Sequence, residues 1–256
     1  MQILVCVKRV PASGGAPQLS ADGRDVDTRH LAFTVSPHEE CAIEEAVSLV
    51  ADLGGSVTVL TAGPAEADEQ LRYAISMGAD HGVLVDTGPD EIDPQATAAA
   101  ITEATRALEA EAGPFDLILF GNESPDAGNY QVGVRVACAL NRPMVTGVKG
   151  IELDLEAGRA ALRRHVPTGV EVYDAPLPAA VAVKEGLNLP RYPSMRGRLR
   201  ARKAEFAVLE AAPEPGGLRK IRLRLPEEKR SETVLLGQGA AAAPAVVDLL
   251  EELEIV

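Results

Sequence analysis

The sequence predicts an α/β fold, a mostly parallel β-sheet with helices on both faces. Three observations carry this reading. Between residues 2 and 143, short apolar blocks alternate with stretches of helical period. Each block is apolar without interruption, as expected of a strand covered on both faces. The stretches between blocks open and close on helix signals, with Pro, Asp or Ser before them and Gly or Pro after. Such alternation is the pattern of a parallel sheet wrapped by helices.

The elements follow in order. QILVCV at 2–7 is the first buried strand, ended by Lys8 and Arg9. Residues 8–35 hold Pro, Gly and Ser, then DGRDVDTRH, and read as a loop with one short hairpin. Ser36 caps the next helix, Pro37 fits its first position, Glu39 and Glu40 suit its positive end, and Gly54 stops it. SVTVLTAG at 56–63 is a second strand, a helix runs from Pro64 to Gly78, and GVLVD at 82–86 is a third strand. An Ala-rich helix spans 93–113, FDLILFGN at 115–122 is a fourth strand, and another helix spans 127–143. The period then changes. Residues 148–175 read as two or three antiparallel strands around Glu156-Ala157-Gly158, a small antiparallel sheet. PLPAAVAVKE at 176–185 returns to a buried strand. Residues 184–203 are a loop followed by a basic run, and 204–256 an extended C-terminal arm closed by a helix from Ala243.

Composition narrows the function classes. The net charge is −13, from 25 Lys and Arg against 38 Asp and Glu, and there is no Trp. General affinity for nucleic acid is unexpected, because it needs cations against phosphate and aromatic platforms for bases. Cys6, Cys41 and Cys138 lack CxxC spacing, so neither a disulfide framework nor a zinc site is indicated, and no other metal motif stands out. No apolar run approaches the roughly 18 residues of a membrane span. The expectation is a cytoplasmic protein without membrane insertion.

Chemistry in an open parallel sheet sits beyond the carboxyl ends of the strands. Three loops qualify: VKRVPASGG, TAGPAEA and FGNESPDAGNYQVG. The third is the most informative. Gly121 ends a strand, Asn122, Glu123, Ser124 and Asp126 are short polar groups, and Gly128 permits close backbone approach. The helix after it offers free N–H groups and a positive dipole end, suited to a phosphate. GxGxxG and GxxxxGKS are absent, as are HExxH and GxSxG, so no catalytic residue is assigned. An anomaly stands later. In an acidic chain, Arg191 to Lys203 holds five arginines and one lysine with no acid, directly after Leu-Asn-Leu-Pro.

LVCVKRV, SPHEECAIEEAVSL, TAGPAEADEQLRYAISMGADHGVLV, DLILFGNESPDAGNYQVG and LNLPRYPSMRG occur in that order, over nearly the whole chain. Together they resemble the β-subunit family of electron transfer flavoprotein. The resemblance implies a Rossmann-like α/β domain over 1–203 and a C-terminal arm, 204–256, that wraps a partner α-subunit. It implies a heterodimer whose redox FAD is held mostly by the α-subunit, with AMP bound in this chain. The carrier would take electrons from acyl-CoA or other flavin dehydrogenases and pass them to a membrane quinone oxidoreductase. The same resemblance leaves open a bifurcating relative with a second FAD in place of AMP, which oxidises NADH. The fold alone also permits a free-standing adenine-nucleotide module. By position, the implied nucleotide contacts are Cys6, Ser36, Pro37, His38, Glu39, Ala62, Gly121, Asn122, Glu123, Ser124, Asp126, Gly128, Asn129, Gln131 and Val132. The implied recognition loop places Leu187 as an exposed anchor, with Asn188, Pro190 and Arg191 beside it. Two departures from the family pattern stand out: Pro11-Ala12-Ser13 lacks the usual acid and aromatic, and Arg164 to Gly169 carries His165 where an acid is common.

Overall fold

The structure, a computed structural model, describes residues 1–12, 17–226 and 233–255. Nine strands form one sheet in the order β11-β5-β4-β1-β6-β10-β7-β8-β9. Strands β1 (Gln2–Val7), β4 (Ser56–Gly63), β5 (His81–Asp86), β6 (Leu117–Gly121) and β10 (Ala179–Val183) run parallel, each beside its neighbour. Their apolar blocks are buried on both faces, as the continuous pattern requires. Helices α1 (Pro37–Leu53) and α2 (Asp68–Met77), the latter entered through a 3₁₀ turn at Ala65–Ala67, cover one face. Helices α3 (Pro94–Ala112) and α4 (Val132–Ala139) cover the other. Within the 8–35 excursion, β2 (Val10–Pro11) and β3 (Phe33–Thr34) form the expected short hairpin, and Arg9 stacks over the Phe33 ring. Of the Pro11-Ala12-Ser13 departure, Ser13 lies outside the described residues.

Four expectations are revised. First, the small antiparallel sheet is the β2–β3 pair, and the strands of 148–175 extend the main sheet. β7 (Met144–Asp154) starts parallel to β10 and then pairs antiparallel with β8 (Arg159–Val166), which pairs with β9 (Gly169–Pro176). Register shifts near Val148 on both sides let one strand serve both geometries. Second, α4 begins at Val132 rather than near 127, because Gly128 and Tyr130 both take positive φ (55°) and interrupt a helix. Third, the basic run folds as α5 (Met195–Lys203), capped by the Ser194 side chain on Gly197 N. Fourth, residues expected in the arm join the sheet: β11 (Ala207–Glu210) pairs parallel with β5 and supplies partners for that strand's open edge. The arm proper starts after Ala211. It ends in a 3₁₀ turn (Gly239–Ala242) and α6 (Ala243–Glu252), which buries none of its residues. Among the described residues no helix is long and apolar enough to cross a membrane.

Candidate functional site

The chain leaves β1 towards β4 and β5 on one side, then returns to place β6 on the other. The crossovers therefore reverse between β1 and β6, and their carboxyl ends flank the crevice where ligands bind in open α/β sheets. A buried clasp shapes this crevice. Glu39 accepts from Lys8 N (2.8 Å) on one oxygen and from Ser36 N (2.9 Å) on the other, while Ser36 Oγ accepts from Glu39 N (3.2 Å). This capping box ties the start of α1 to the end of β1. Burial pushes the Glu39 pKa up to about 7, against the hydrogen bonds from Ser36 and Lys8. The clasp also explains Gly121. A Cβ there would stand 2.8 Å from Glu39 Cγ and 3.3 Å from His38 Cβ, so β6 can end beside α1 only without a side chain.

Beyond Gly121, Asn122 N donates to Val183 O (2.9 Å) and Gly128 N to Ser124 O (3.0 Å), folding the loop back on itself. Its positive-φ residue Tyr130 is strained for a bulky side chain, by roughly 1–2 kcal/mol. Gln131 opens α4 without a side-chain cap, whereas α1, α3 and α5 are each capped by Ser or Asp. A cavity of about 70 Å³ sits here, lined by Gly121, Asn122, Ser124, Asn129, Gln131 and Val132, and also by Met144 and Thr146. A group lodged there faces the uncapped positive end of α4.

Six of the residues expected from sequence thus share one cavity. The others take different places. Ser36 and Glu39 lie beneath the crevice as its clasp. Cys6 is buried in the core on the α3–α4 side, and burial first, then Glu39, push its thiol far up, so its side chain is packing. Ala62 packs at the same core margin, and Pro37 is exposed. His38 is half-buried, and its Nδ1 is buried without a partner among the described residues. Burial holds that imidazole below its ordinary value, against the pull of Glu123 and Glu185. Asp126 stands at the mouth, 2.6 Å from Lys8 Nζ. Burial raises its carboxyl, but the Lys8 ammonium and hydrogen bonds from Lys8, Ser124 and Ala127 outweigh that and hold it below the usual range. Sequence reasoning missed Lys8, which looked only like the charge that ends a strand, and Glu91, in an unremarked loop 3.6 Å from Lys8.

The loop expected to meet a partner differs from expectation at its named anchor. Leu187 is partly buried against the core, not exposed. Asn188 Nδ2 donates to Cys41 O (3.0 Å) and Glu45 Oε2 (2.9 Å). Arg191 grips Glu44 from both sides of its guanidinium fork (2.7 and 2.8 Å), and its backbone N adds a third bond at 3.0 Å. Burial raises the Glu44 carboxyl, but Arg191 outweighs it and holds the carboxyl below its usual value. With the base pinned to α1, the tip faces outward: Leu189 is 91% exposed, Tyr192 94% and Met195 73%. Pro190 is half-buried between them. Behind the tip, α5 and α2 exchange arginines. Arg200 Nη2 donates to Ile75 O (2.8 Å) and Ala79 O (3.0 Å), and Arg72 Nη1 donates to Ala201 O (2.8 Å) and Ala204 O (3.2 Å).

Comparison with known proteins points one way. The family model described as the electron transfer flavoprotein domain matches residues 25–214. The electron transfer flavoprotein subunit beta of Bacillus subtilis is 34% identical over 228 residues, 85% of this chain and 86% of that protein. The subunit beta of Megasphaera elsdenii is 32% identical, covering 83% of this chain and 79% of its own. That of Mycobacterium tuberculosis is 35% identical, covering 82% and 79%.

Proposed function

The chain belongs to the electron transfer flavoprotein family, and from that premise we propose that it is the β-subunit of a heterodimeric electron carrier. It takes electrons from flavin dehydrogenases and passes them, with its α-subunit, towards a membrane quinone oxidoreductase. The observation that carries the nucleotide part is the crevice at the β1–β6 switch point, where Gly121 leaves room beside α1 and the uncapped α4 faces a small cavity. The cradle suits the phosphate of AMP: backbone N–H groups at Gln131 and Val132 would meet it, and Asn122, Ser124 and Asn129 would supply polar contacts around it. FAD, held mostly by the α-subunit, would supply the one-electron chemistry. This chain's residues bind the nucleotide, brace the heterodimer and present the docking loop. The exposed Leu189, Tyr192 and Met195 serve as apolar anchors on the dehydrogenase, with the cations of α5 beside them to complement an acidic partner.

The test is to purify the chain with its α-subunit, denature the complex, and identify every released nucleotide by chromatography and mass. AMP with one FAD per heterodimer is expected. Two FAD and no AMP would instead mark a bifurcating relative, and bleaching by NADH would accompany it. A colourless chain that ignores its cognate α-subunit would overturn the proposal. Gly121→Val is expected to strip the nucleotide, since its side chain would collide with Glu39; unchanged nucleotide content would move the site elsewhere.

A further inference from the structure

A line of alternating charges crosses the mouth of the crevice and ends on the C-terminal arm. Asp126 on the β6–α4 loop pairs with Lys8 at the end of β1 (2.6 Å). Lys8 also lies 3.6 Å from Glu91, on the loop after β5. Glu91 is shared with Lys220 of the arm, whose ammonium also bonds Asp25 at 2.6 Å. The arm is laid down here by its backbone as well: Gly216 N donates to Asp93 Oδ2 (2.5 Å) and Leu223 N to Gly23 O (2.7 Å). Residues 216–223 therefore form a strap beside the site, fastened at both ends and in the middle.

The line holds three carboxylates and two ammonium groups. An anion entering between the ends of β1 and β6 passes the Lys8–Asp126 pair, in which Lys8 is the cation, with Glu91 3.6 Å from it on the far side. Lys8 can turn to the anion only by leaving its acids. Asp126 tolerates this, because Ala127 N still donates to its Oδ1 (2.8 Å). Glu91 tolerates it only because Lys220 also neutralises it. We propose that Lys8 is the side-chain cation for the phosphate of the nucleotide in this crevice, and that Lys220 is a positioning residue that frees Lys8 by holding Glu91. The inference rests on the nucleotide reading above and deepens it. It also reassigns Asp126, since a carboxylate repels phosphate and the group that meets the ligand is its partner. Ligand and strap are thereby linked: a phosphate that draws Lys8 away leaves Glu91 wholly to Lys220, and the strap holds more firmly. By reciprocity, a fastened strap raises affinity for the phosphate.

The experiment is calorimetric titration of the full-length chain with AMP and with adenosine at low salt, using Lys8→Gln, Lys220→Gln, Glu91→Gln and the double variant Lys220→Gln/Glu91→Gln. Lys8→Gln is expected to weaken AMP about tenfold while leaving adenosine unchanged. Lys220→Gln is expected to weaken AMP about fivefold, a loss that shrinks as salt is raised. Glu91→Gln is expected to strengthen it. In the Glu91→Gln background, adding Lys220→Gln is expected to change nothing, because the carboxylate it managed is gone. An equal loss from Lys220→Gln in both backgrounds would mean that Lys220 acts by bare charge, and would overturn its positioning role. AMP binding unaltered by Lys8→Gln would overturn the phosphate contact. A wild-type chain that binds adenosine but gains nothing from the phosphate would overturn the inference alone; one that binds neither would overturn the nucleotide reading and the inference together.

Discussion

The docking loop and the C-terminal arm both turn apolar side chains to solvent, yet they are built in opposite ways. The loop rests on a foundation: Asn188 and Arg191 are bonded to α1, and Leu187 is partly buried against the core. Its exposed tip is small and its geometry is already set. The arm exposes Ile221, Val234, Leu235, then Val246, Val247 and Leu249 on α6 and Leu253 just after it, and α6 buries nothing. Few of its backbone groups are tied to the rest of the molecule. A preorganised anchor spends little binding energy on ordering and suits brief, repeated encounters. A long apolar segment that lacks its own core suits a lasting partner that completes it, with ordering charged to assembly. On the function proposed above, the difference would separate a transient dehydrogenase contact from a permanent α-subunit contact within one chain.

The comparison breaks most sharply at the arm. Deleting 212–256 is expected to weaken association with the α-subunit by at least about a hundredfold, while the sheet, which ends at Glu210 of β11, keeps its cooperative unfolding. Gel filtration and thermal melting check both halves; retained assembly would place the permanent interface elsewhere. Next in size is the contrast between two leucines. Leu187→Ala should cost about 2–3 kcal/mol of stability, as for a partly buried aliphatic side chain. Leu189→Ala should leave stability unchanged and slow electron uptake from the dehydrogenase about tenfold. Stopped-flow kinetics beside denaturant titration read the two; the reverse pattern would restore Leu187 as the contact residue. Arg191→Ala should cost about 1–2 kcal/mol, because it leaves the mostly buried Glu44 carboxylate without its partner, discounted for the half-exposed arginine.

The smallest effect is a pH dependence. The Glu44 carboxyl is held below its unfolded value by Arg191, so its contribution is present above that value and is lost as pH falls through the folded one. The stability gap between wild type and Arg191→Ala should therefore narrow in acid. A gap constant from pH 7 to 3 would mean that the pair contributes by packing alone. Glu39 runs the other way. With its pKa pushed up to about 7, the fold loses stability as pH rises from about 4.5 to 7. A stability profile flat across that window would show that the Ser36 and Lys8 hydrogen bonds cancel its burial.

The buried parallel strands and α1 to α3 were legible because their signals are local: a continuous apolar block, a Ser, Pro or Asp at the start, a closing Gly. What escaped depended on distant partners. β11 is an ordinary short segment until β5, more than a hundred residues earlier, offers it an edge. The basic run reads as a solvated charge cluster until α2 accepts it as a helix. In Leu-Asn-Leu an extended chain would put both leucines on one face; the bend at Leu187 and Asn188 parts them, and spacing alone does not say which faces the core. At the site, the polar loop 121–131 was legible as a phosphate loop, but the need for glycine at 121 lies in Glu39, some eighty residues away in sequence. Lys8 gave no signal beyond a charge after a strand, since its meaning comes from Asp126 and Glu91.

The exchanged arginines of α2 and α5 carry one more consequence. Each helix has its last carbonyls held by a side chain of the other, so neither can fray at its carboxyl end without releasing its neighbour's arginine. The two should open as a single unit in amide hydrogen exchange, with slow amides in the last turn of α2 and throughout α5 reporting one shared opening free energy. The exposed tip that leads into α5 is thereby kept in one shape by the same opening event that holds the two helices together.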